Sequence, residues 1–240
     1  MPNPTAAMLV IGDEILSGRT RDANMYHLAG ALTDYGIDLK EVRVVSDDAP
    51  AIVAAVRALA AQYTHLFTSG GIGPTHDDIT ADCIAEAFSK TIDVRADARK
   101  LLADHYEKTG RELNEARLRM ARIPATATLI DNPVSIAPGF TVENCHVMAG
   151  VPSVFQAMVQ SVLPLLSGGE PMLSRTLRIQ RGEGDIAAPL GELAKEFSDL
   201  SFGSYPFQND GIYGSNVVIR GQDPIRLDTA FASLTALFPQ

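Results

Sequence analysis

The first half of the chain alternates short apolar runs with stretches whose apolar residues recur at helical spacing. Ala7–Ile11, Ile37–Val45 and His65–Ser69 predict three strands. Between them, Asp22 can cap one helix, and a second helix over Ala51–Gln62 is mostly alanine, valine and isoleucine and therefore buried. Strands that alternate with helices in this way predict parallel pairing with right-handed crossovers.

The pattern after the third strand predicts two polar helices, a strand, a hairpin appended to the sheet and a closing helix. In chain order these cover 97–109, 114–122, 128–130, 136–149 and 154–166. The segment 172–240 then predicts strand, helix, strand, strand and helix, at 175–180, 185–197, 201–206, 213–220 and 225–238. We therefore expect an α/β domain with a mostly parallel sheet in 1–168 and a small α+β subdomain in 172–240, joined by the linker Ser167–Pro171.

Composition narrows the class of partner. The 240 residues are 46% hydrophobic and 20% charged, which is ordinary for a globular chain. The net charge of −9 argues against a nucleic-acid surface, because Lys and Arg supply affinity for a polyanion, but it leaves an anionic small molecule open. Cys83 and Cys145 form no CxxC pattern, so a reduced, cytoplasmic compartment is the simplest interpretation, with a single disulfide left open.

One stretch has the length of a membrane span. Residues 144–169 contain no Asp, Glu, Lys or Arg, but Gly150, Pro152 and Pro164 interrupt them and polar residues recur at helical spacing. We therefore predict a buried strand followed by an amphipathic helix, and no membrane segment.

Three loops follow the predicted parallel strands, at 12–18, 46–48 and 70–78. Ligands of open parallel sheets bind just past the carboxyl ends of the strands. Each of these loops carries acidic residues, and two are rich in glycine. The sequence therefore predicts a ligand site formed by all three.

The loop Gly70-Gly71-Ile72-Gly73-Pro74-Thr75-His76-Asp77-Asp78, called the glycine loop below, carries the strongest candidate chemistry. Its glycines let backbone amides approach a ligand without a Cβ in the way. Thr75 and Asp78 match a Thr-x-x-Asp capping pattern, so we expect the next helix to begin here and to direct its N–H groups at an anion. A capped glycine turn is also common in purely structural roles, and both interpretations stay open.

The adjacent carboxylates of Asp77 and Asp78 would repel a phosphate unless a cation lies between them. They therefore predict Mg²⁺ or another hard divalent metal. A carboxylate in this position can also act as a general base toward water.

Other phosphate-binding motifs do not account for the chain. No Gly-Lys-Ser/Thr follows the glycine loop, and His76 stands where a dinucleotide fingerprint has its third glycine. Gly182–Ala187 does fit G-x-G-x-x-A, but the strand after it leads into a hairpin, so we interpret it as a structural turn.

Several motifs, taken in order, resemble the MoaB/Mog molybdopterin-binding family and, within it, the N-terminal part of competence/damage-inducible protein A (CinA). They are Gly12–Gly18, Asp22-Ala23-Asn24, Asp47, Gly70–Thr80, Asn114–Arg117, Asn132-Pro133, Ala137–Phe140 and Gly150-Val151-Pro152. The tail around Gly203–Pro206 resembles the small domain that follows in CinA-like proteins. The resemblance implies a three-layer α/β/α MoaB/Mog-like fold with a small C-terminal α+β subdomain.

The resemblance also implies a site for a nucleotide or pterin ligand, with molybdopterin as one candidate. The implied ligand-binding residues are Gly12, Glu14, Ser17, Gly18, Asn24, Gly70, Gly71, Gly73, Pro74, Thr75, Asn132 and Gly139. Asp47 and Asp78 match acidic positions that family members need for activity, and Asp77 and Asp78 are the predicted metal ligands. Asn132–Ser135 departs from the family's frequent Asn-x-x-Gly-Thr.

Three functions remain open at this point. The first is a CinA-type, metal-dependent pyrophosphatase acting on ADP-ribose or a related nucleotide diphosphate. The second is molybdopterin binding or adenylyl transfer in molybdenum-cofactor biosynthesis, and the third is a non-catalytic binding module. The deamidase domain of CinA has no counterpart in this sequence, so deamidation is not implied. Family members often associate through added strands, and we expect a homo-oligomer.

Overall fold

The computed structural model describes residues 2–209 and 211–239. The chain divides into two compact units, Met1–Gly169 and Glu170–Gln240. The strands of the N-terminal unit are β1 Thr5–Ile11, β2 Asp38–Val45, β3 His65–Ser69, β4 Ile92–Val94, β5 Arg122–Pro124, β6 Thr128–Ile130, β7 Gly139–Val142 and β8 Cys145–Met148. Its helices are α1 Asp13–Leu16, α2 Asn24–Tyr35, α3 Ala49–Gln62, α4 Thr80–Ala87, α5 Ala96–Lys108, α6 Glu115–Leu118 and α7 Pro152–Val162, with 3-10 turns at Arg119–Ala121 and Leu163–Leu165.

The central sheet of this unit is mixed but mostly parallel. Its strand order is β2-β1-β3-β8-β7-β6 in the described part of the chain. β1 runs parallel to β2 and β3, and β3 runs parallel to β8. β7 is antiparallel to both of its neighbours, β6 and β8. The predicted parallel sheet with an appended hairpin is therefore confirmed.

Side chains of β1 alternate between two cores, one on each face of the sheet. Ala7, Leu9 and Ile11 join a cluster with residues of α3, α4 and α5. The intervening side chains of β1 join a second cluster with residues of α2 and α7. A strand covered on both faces is apolar throughout, which is why its sequence is a continuous hydrophobic run. The result is the predicted three-layer α/β/α arrangement.

Two local predictions need correction. The helix after the glycine loop begins at Thr80 rather than at Thr75, and Ile79, the residue before it, makes no side-chain cap. The segment between Ser89 and Thr128 also contains a small antiparallel sheet, β4 with β5, that the sequence pattern did not predict. Each of these strands has three residues, too few for a period of two to be visible.

The C-terminal unit has the predicted strand, helix, strand, strand, helix order. Its elements are β9 Leu173–Ile179, α8 Glu183–Glu196, β10 Ser201–Asn209, β11 Ile212–Gly221 and α9 Pro224–Leu237. The strands form an antiparallel sheet in the order β10-β11-β9. Gly182–Ala187 therefore joins a strand to a helix without the parallel sheet that a dinucleotide site requires, as its interpretation as a turn predicted.

The uncharged stretch folds as predicted, into β8 and α7. None of the described helices has the length and apolar character needed to span a membrane. Cys83 and Cys145 are both buried and free, so the disulfide left open by the sequence is not formed between them.

The glycines that end the N-terminal unit are packed against other residues of that unit. Gly169 N donates to Gly36 O at 3.1 Å. A Cβ added to Gly168 would lie 2.4 Å from Tyr35 O, and one added to Gly169 would lie 2.3 Å from Asn3 Oδ1. The glycines of the predicted linker are therefore packed against the N-terminal unit.

Candidate functional site

All three predicted loops lie at one edge of the central sheet. Because β2, β1 and β3 are parallel neighbours, the segments that follow their carboxyl ends meet there. The β6–β7 connection reaches the same edge, since Ile130 at the end of β6 pairs with Gly139 at the start of β7. Topology thus brings the glycine loop, the 12–18 loop, Asp47 and the Asn132 segment to one edge.

Asp47 joins the first two of these loops. Its Oδ2 accepts a hydrogen bond of 2.9 Å from the backbone N–H of Asp13. The carboxylate of Glu14 lies beside Gly12, where an added Cβ would be 2.6 Å from Glu14 Oε2. Ser17 and the left-handed Gly18 (φ 70°) close the short α1 segment, with Ser17 Oγ 3.4 Å from Glu14 O. Asp13, Glu14 and Asp47 form an acidic rim, in which Asp13 and Glu14 are exposed and Asp47 is partly buried.

Asn24, the first residue of α2, is 3% exposed and hydrogen-bonds to two of the segments at this edge. Its Nδ2 donates to Ser69 Oγ and to Gly150 O, both at 2.8 Å. Its Oδ1 is buried without a hydrogen-bond partner. The side chain therefore holds the ends of β3 and β8 together and keeps one acceptor unused.

Three glycines of the glycine loop are required by its own packing. Gly70 has a φ of 109°, and a Cβ there would lie 2.2 Å from Ile11 O. Gly71 has a φ of 69°, and a Cβ would lie 2.1 Å from Thr80 Oγ1. At Gly73 a Cβ would lie 2.6 Å from Asp78 Oδ2. Packing alone therefore explains these glycines, and ligand binding by the loop stays a prediction.

Thr75 and Asp78 close a turn instead of capping a helix. Asp78 Oδ2 accepts from Thr75 N at 2.8 Å and from Thr75 Oγ1 at 2.5 Å. The Thr75 hydroxyl also lowers the pKa of the exposed Asp77 carboxyl, followed by a backbone hydrogen bond and the charge of His76. The Thr75 side chain is therefore close to both carboxylates, with its hydroxyl hydrogen-bonded to Asp78. Pro74 precedes this turn and is exposed.

Asn132 and Gly139 lie at the same edge but have local packing roles. Asn132 Nδ2 donates to Ser135 Oγ and Ala137 O, and its Oδ1 accepts from the amides of Val134 and Ser135. All its hydrogen bonds therefore stay within its own turn. A Cβ at Gly139 would lie 2.5 Å from Val147 O on the neighbouring strand. Local packing thus accounts for both residues, and ligand binding by them stays a prediction.

Sequence reasoning missed a small cavity beside the glycine loop. Gly71, Gly73 and Asp78 line one side of it, and Arg119 lines another. Its volume is about 20 Å³. Arg119 Nη2 donates to Asp78 O at 3.3 Å, while Arg119 Nε and Thr80 Oγ1 are buried without partners. Asp78 and Arg119 are 41 positions apart in the chain, and no spacing signal joins them.

The predicted metal ligands do not form a complete protein site. Among the described residues, no group of three or more His, Cys, Asp or Glu side chains is placed to hold a metal ion. Asp77 and Asp78 offer hard oxygen donors of the kind Mg²⁺ prefers, and Mg²⁺ commonly uses only one or two carboxylates together with substrate phosphates. The donor set therefore fits an ion that shares its coordination with the phosphates of a ligand.

Comparison with known families decides the class of the N-terminal unit. The family described as "Probable molybdopterin binding domain" matches residues 7–168. The chain belongs to this family. The family described as "FAD synthase, middle domain" matches residues 171–240.

Two curated relatives of this molybdopterin-binding-domain protein match it over about half of their own length. It is 36% identical over 205 residues to a CinA-like protein of Geobacter metallireducens, covering 81% of this chain and 50% of that one. It is 30% identical over 258 residues to a protein named "Probable FAD synthase" from Caenorhabditis elegans, covering 97% of this chain and 50% of that one. The chain thus spans about half the length of these curated relatives.

A solved structure supports the fold. The crystal structure of CinA from Thermoplasma acidophilum, described as of unknown function, matches with a TM-score of 0.62 and 31% identity. The match covers 68% of this chain and 97% of that one. The chain is therefore a CinA-like protein with a MoaB/Mog-type fold, as the resemblance implied.

Proposed function

We propose that the N-terminal unit binds a nucleotide diphosphate such as ADP-ribose at the glycine loop and hydrolyses its pyrophosphate bond. The observation that carries the proposal is the arrangement around this loop at the carboxyl edge of the sheet. Left-handed Gly70 and Gly71 bring backbone close to the edge, and Asp78 lies directly beside Gly73.

In the proposed reaction a water molecule attacks one phosphorus atom and the bridging P–O bond breaks. With ADP-ribose the products are AMP and ribose 5-phosphate. A carboxylate that accepts the proton of the attacking water contributes general-base catalysis. Asp78 is the last residue of the glycine loop, and Asp47 accepts a hydrogen bond from the 12–18 loop. These two side chains are therefore the candidates for this role.

A divalent ion would reach the site together with the diphosphate. Asp77 and Asp78 would hold it, and the ion would neutralise charge on the phosphoryl oxygens. Thr75 keeps one oxygen of Asp78 engaged, which fixes the direction of the carboxylate.

The first test is AMP release from ADP-ribose in the presence of Mg²⁺, with the Asp78→Asn variant. Removing a general base or a charge-stabilising group costs about a hundredfold or more in rate. Asp104→Asn is the control, because Asp104 is an exposed carboxylate on α5 that pairs with Lys100. Hydrolysis by Asp78→Asn at the rate of the unmodified protein would overturn the assignment.

Nucleotidyl transfer is the second candidate, and two comparisons favour it. The C-terminal unit matches the "FAD synthase, middle domain" family, and one relative is named "Probable FAD synthase". Incubation with ATP and either FMN or molybdopterin separates the two reactions. Acceptor-dependent release of pyrophosphate supports transfer, whereas release of AMP from ADP-ribose without an acceptor supports hydrolysis.

Titration calorimetry with ADP-ribose and with molybdopterin tests the remaining alternative. Binding of neither ligand, with or without Mg²⁺, would favour a non-catalytic module. Homo-oligomerisation also stays a proposal, and sedimentation of the purified chain tests it.

A further inference from the structure

Arg119 has an incompletely satisfied guanidinium group next to the glycine loop. It lies in the 3-10 turn Arg119–Ala121, and its Nη2 donates to Asp78 O at 3.3 Å. Charge-assisted hydrogen bonds of this kind are usually about 2.7–2.9 Å long, so this contact is weak. Nε is buried and has no hydrogen-bond partner among the described residues. An arginine held in this way retains most of its capacity to bind an anion.

The other arginine of the same cavity is already neutralised. Arg122 Nη2 lies 2.5 Å from Asp82 Oδ1, and both residues line the cavity. None of the ion pairs among the described residues includes Arg119, although the whole chain carries a net charge of −9. Arg119 therefore makes no direct ion pair, although Asp78 also lines the cavity.

The cavity is large enough for one oxygen atom. Its volume of about 20 Å³ exceeds the 10–15 Å³ that one water needs, and it is too small for a whole phosphate group. Gly71 and Gly73 line it on the side of the glycine loop. A diphosphate lying over this loop can place one phosphoryl oxygen in the cavity while its remaining atoms stay outside.

We propose that Arg119, with Gly71 and Gly73, forms an oxyanion subsite that binds one phosphoryl oxygen of a diphosphate ligand. Arg119 donates a guanidinium N–H to that oxygen and supplies the positive charge that the acidic rim of the site lacks. The inference rests on the proposed function for the identity of the ligand. In the absence of a diphosphate, a single water can occupy the same position.

Calorimetric titration of the full chain with a methylene-bridged, non-hydrolysable ADP-ribose analogue and Mg²⁺ tests the subsite. We expect Arg119→Gln to weaken binding about tenfold to a hundredfold, as loss of a hydrogen bond to a charged group does. Arg119→Lys keeps the charge but not the planar guanidinium group, so its affinity should lie between those of the unmodified protein and Arg119→Gln. Arg57→Gln is the matched control, since Arg57 also donates to backbone carbonyls, those of Glu86 and Ala87, but does not line this cavity.

The outcomes separate this inference from the function on which it rests. Equal affinity for the unmodified protein and both Arg119 variants would overturn the subsite and leave the proposed function standing. No binding by the unmodified protein would overturn both. Thermal melting of each variant is measured alongside. If Arg119→Gln does not fold, Arg119→Lys decides, and affinity within twofold of the unmodified protein counts against the subsite.

Discussion

The carboxylate of Asp47 accepts a hydrogen bond from the backbone amide of Asp13 at 2.9 Å. This bond joins the loop after β2 to the loop after β1, which are neighbours at the carboxyl edge because the two strands are parallel. Asp47 therefore has a structural task in addition to the catalytic role proposed for it. The two roles make different demands on the side chain.

Two substitutions at Asp47 separate those roles. Asp47→Asn keeps an oxygen acceptor for the Asp13 amide, whereas Asp47→Ala removes it, at a cost of about 1 kcal/mol in the free energy of unfolding. If the negative charge is used in hydrolysis, both variants should lose about a hundredfold in turnover of ADP-ribose. Chemical denaturation and the AMP-release assay measure the two effects. Full activity in Asp47→Asn would show that only the hydrogen bond is needed.

Asn24→Ala should lower the free energy of unfolding by about 2–3 kcal/mol, because it leaves the buried Ser69 hydroxyl and the Gly150 carbonyl without their donor. Equilibrium unfolding in urea measures this change. Thr33→Ala on the same helix is the control, since Thr33 is exposed and its hydroxyl bonds only to Ala29 O within α2. Similar midpoints for both variants would contradict the fastening role of Asn24.

Gly70→Ala should destabilise the N-terminal unit by about 3 kcal/mol or more. A φ of 109° is unfavourable for any residue with a Cβ, and the added carbon would lie 2.2 Å from Ile11 O. Gly30→Ala provides the opposite case. Gly30 lies within α2 with open space around it, so alanine should raise stability by about 0.5–1 kcal/mol. Thermal melting of both proteins gives the sign of each effect.

The His65–His146 pair predicts a loss of stability in mild acid. Burial, with a further contribution from His65, lowers the pKa of His146 to about 3, and burial also lowers the pKa of His65. His146 Nε2 lies 3.3 Å from His65 Nδ1, and its Nδ1 lies 3.0 Å from Thr141 Oγ1. The unfolded chain binds a proton near the ordinary histidine pKa of about 6.5, while the folded chain does not.

The contribution of His146 to stability should therefore be constant above pH 6.5 and fall as the pH decreases below it, by about 1.4 kcal/mol per pH unit, and His65 should add to the loss in the same direction. His146→Gln should make the profile between pH 6.5 and 5 less steep. His76→Gln, at a fully exposed position in the glycine loop, should leave the slope unchanged. Urea unfolding at several pH values measures the slopes, and identical slopes for His146→Gln and the unmodified protein would contradict the assignment.

Much of the fold could be predicted because its elements have clear periods. The buried run Ala7–Ile11, and the Asp22 carboxylate that accepts from Met25 N at 2.8 Å, both carry local signals. The start of α4 could not be placed, because the Thr75-x-x-Asp78 pattern satisfies its hydrogen bonds equally well in a turn. β4 and β5 are too short to show a period.

The meeting of the three loops at one edge could be predicted because each follows a parallel strand, whereas the approach of Arg119 could not. The glycine loop and its aspartates are contiguous in sequence. Arg119 reaches Asp78 only because the chain returns to this edge through α5 and α6, and no local pattern records that return. Asn132 is a motif residue whose side-chain hydrogen bonds lie within its own turn, and its part in ligand binding stays a prediction.

The glycines that end the N-terminal unit are tightly packed, although a glycine pair at such a junction suggests an accessible segment. A glycine pair between two units is normally where a protease cuts and where foreign sequence is tolerated. Gly168 and Gly169 lie instead against Tyr35, Gly36 and Asn3, with no room for even one more carbon atom. Proteolytic cleavage should therefore avoid this pair. An N-terminal unit prepared alone would need to extend through Gly169 to keep the end of α2 covered.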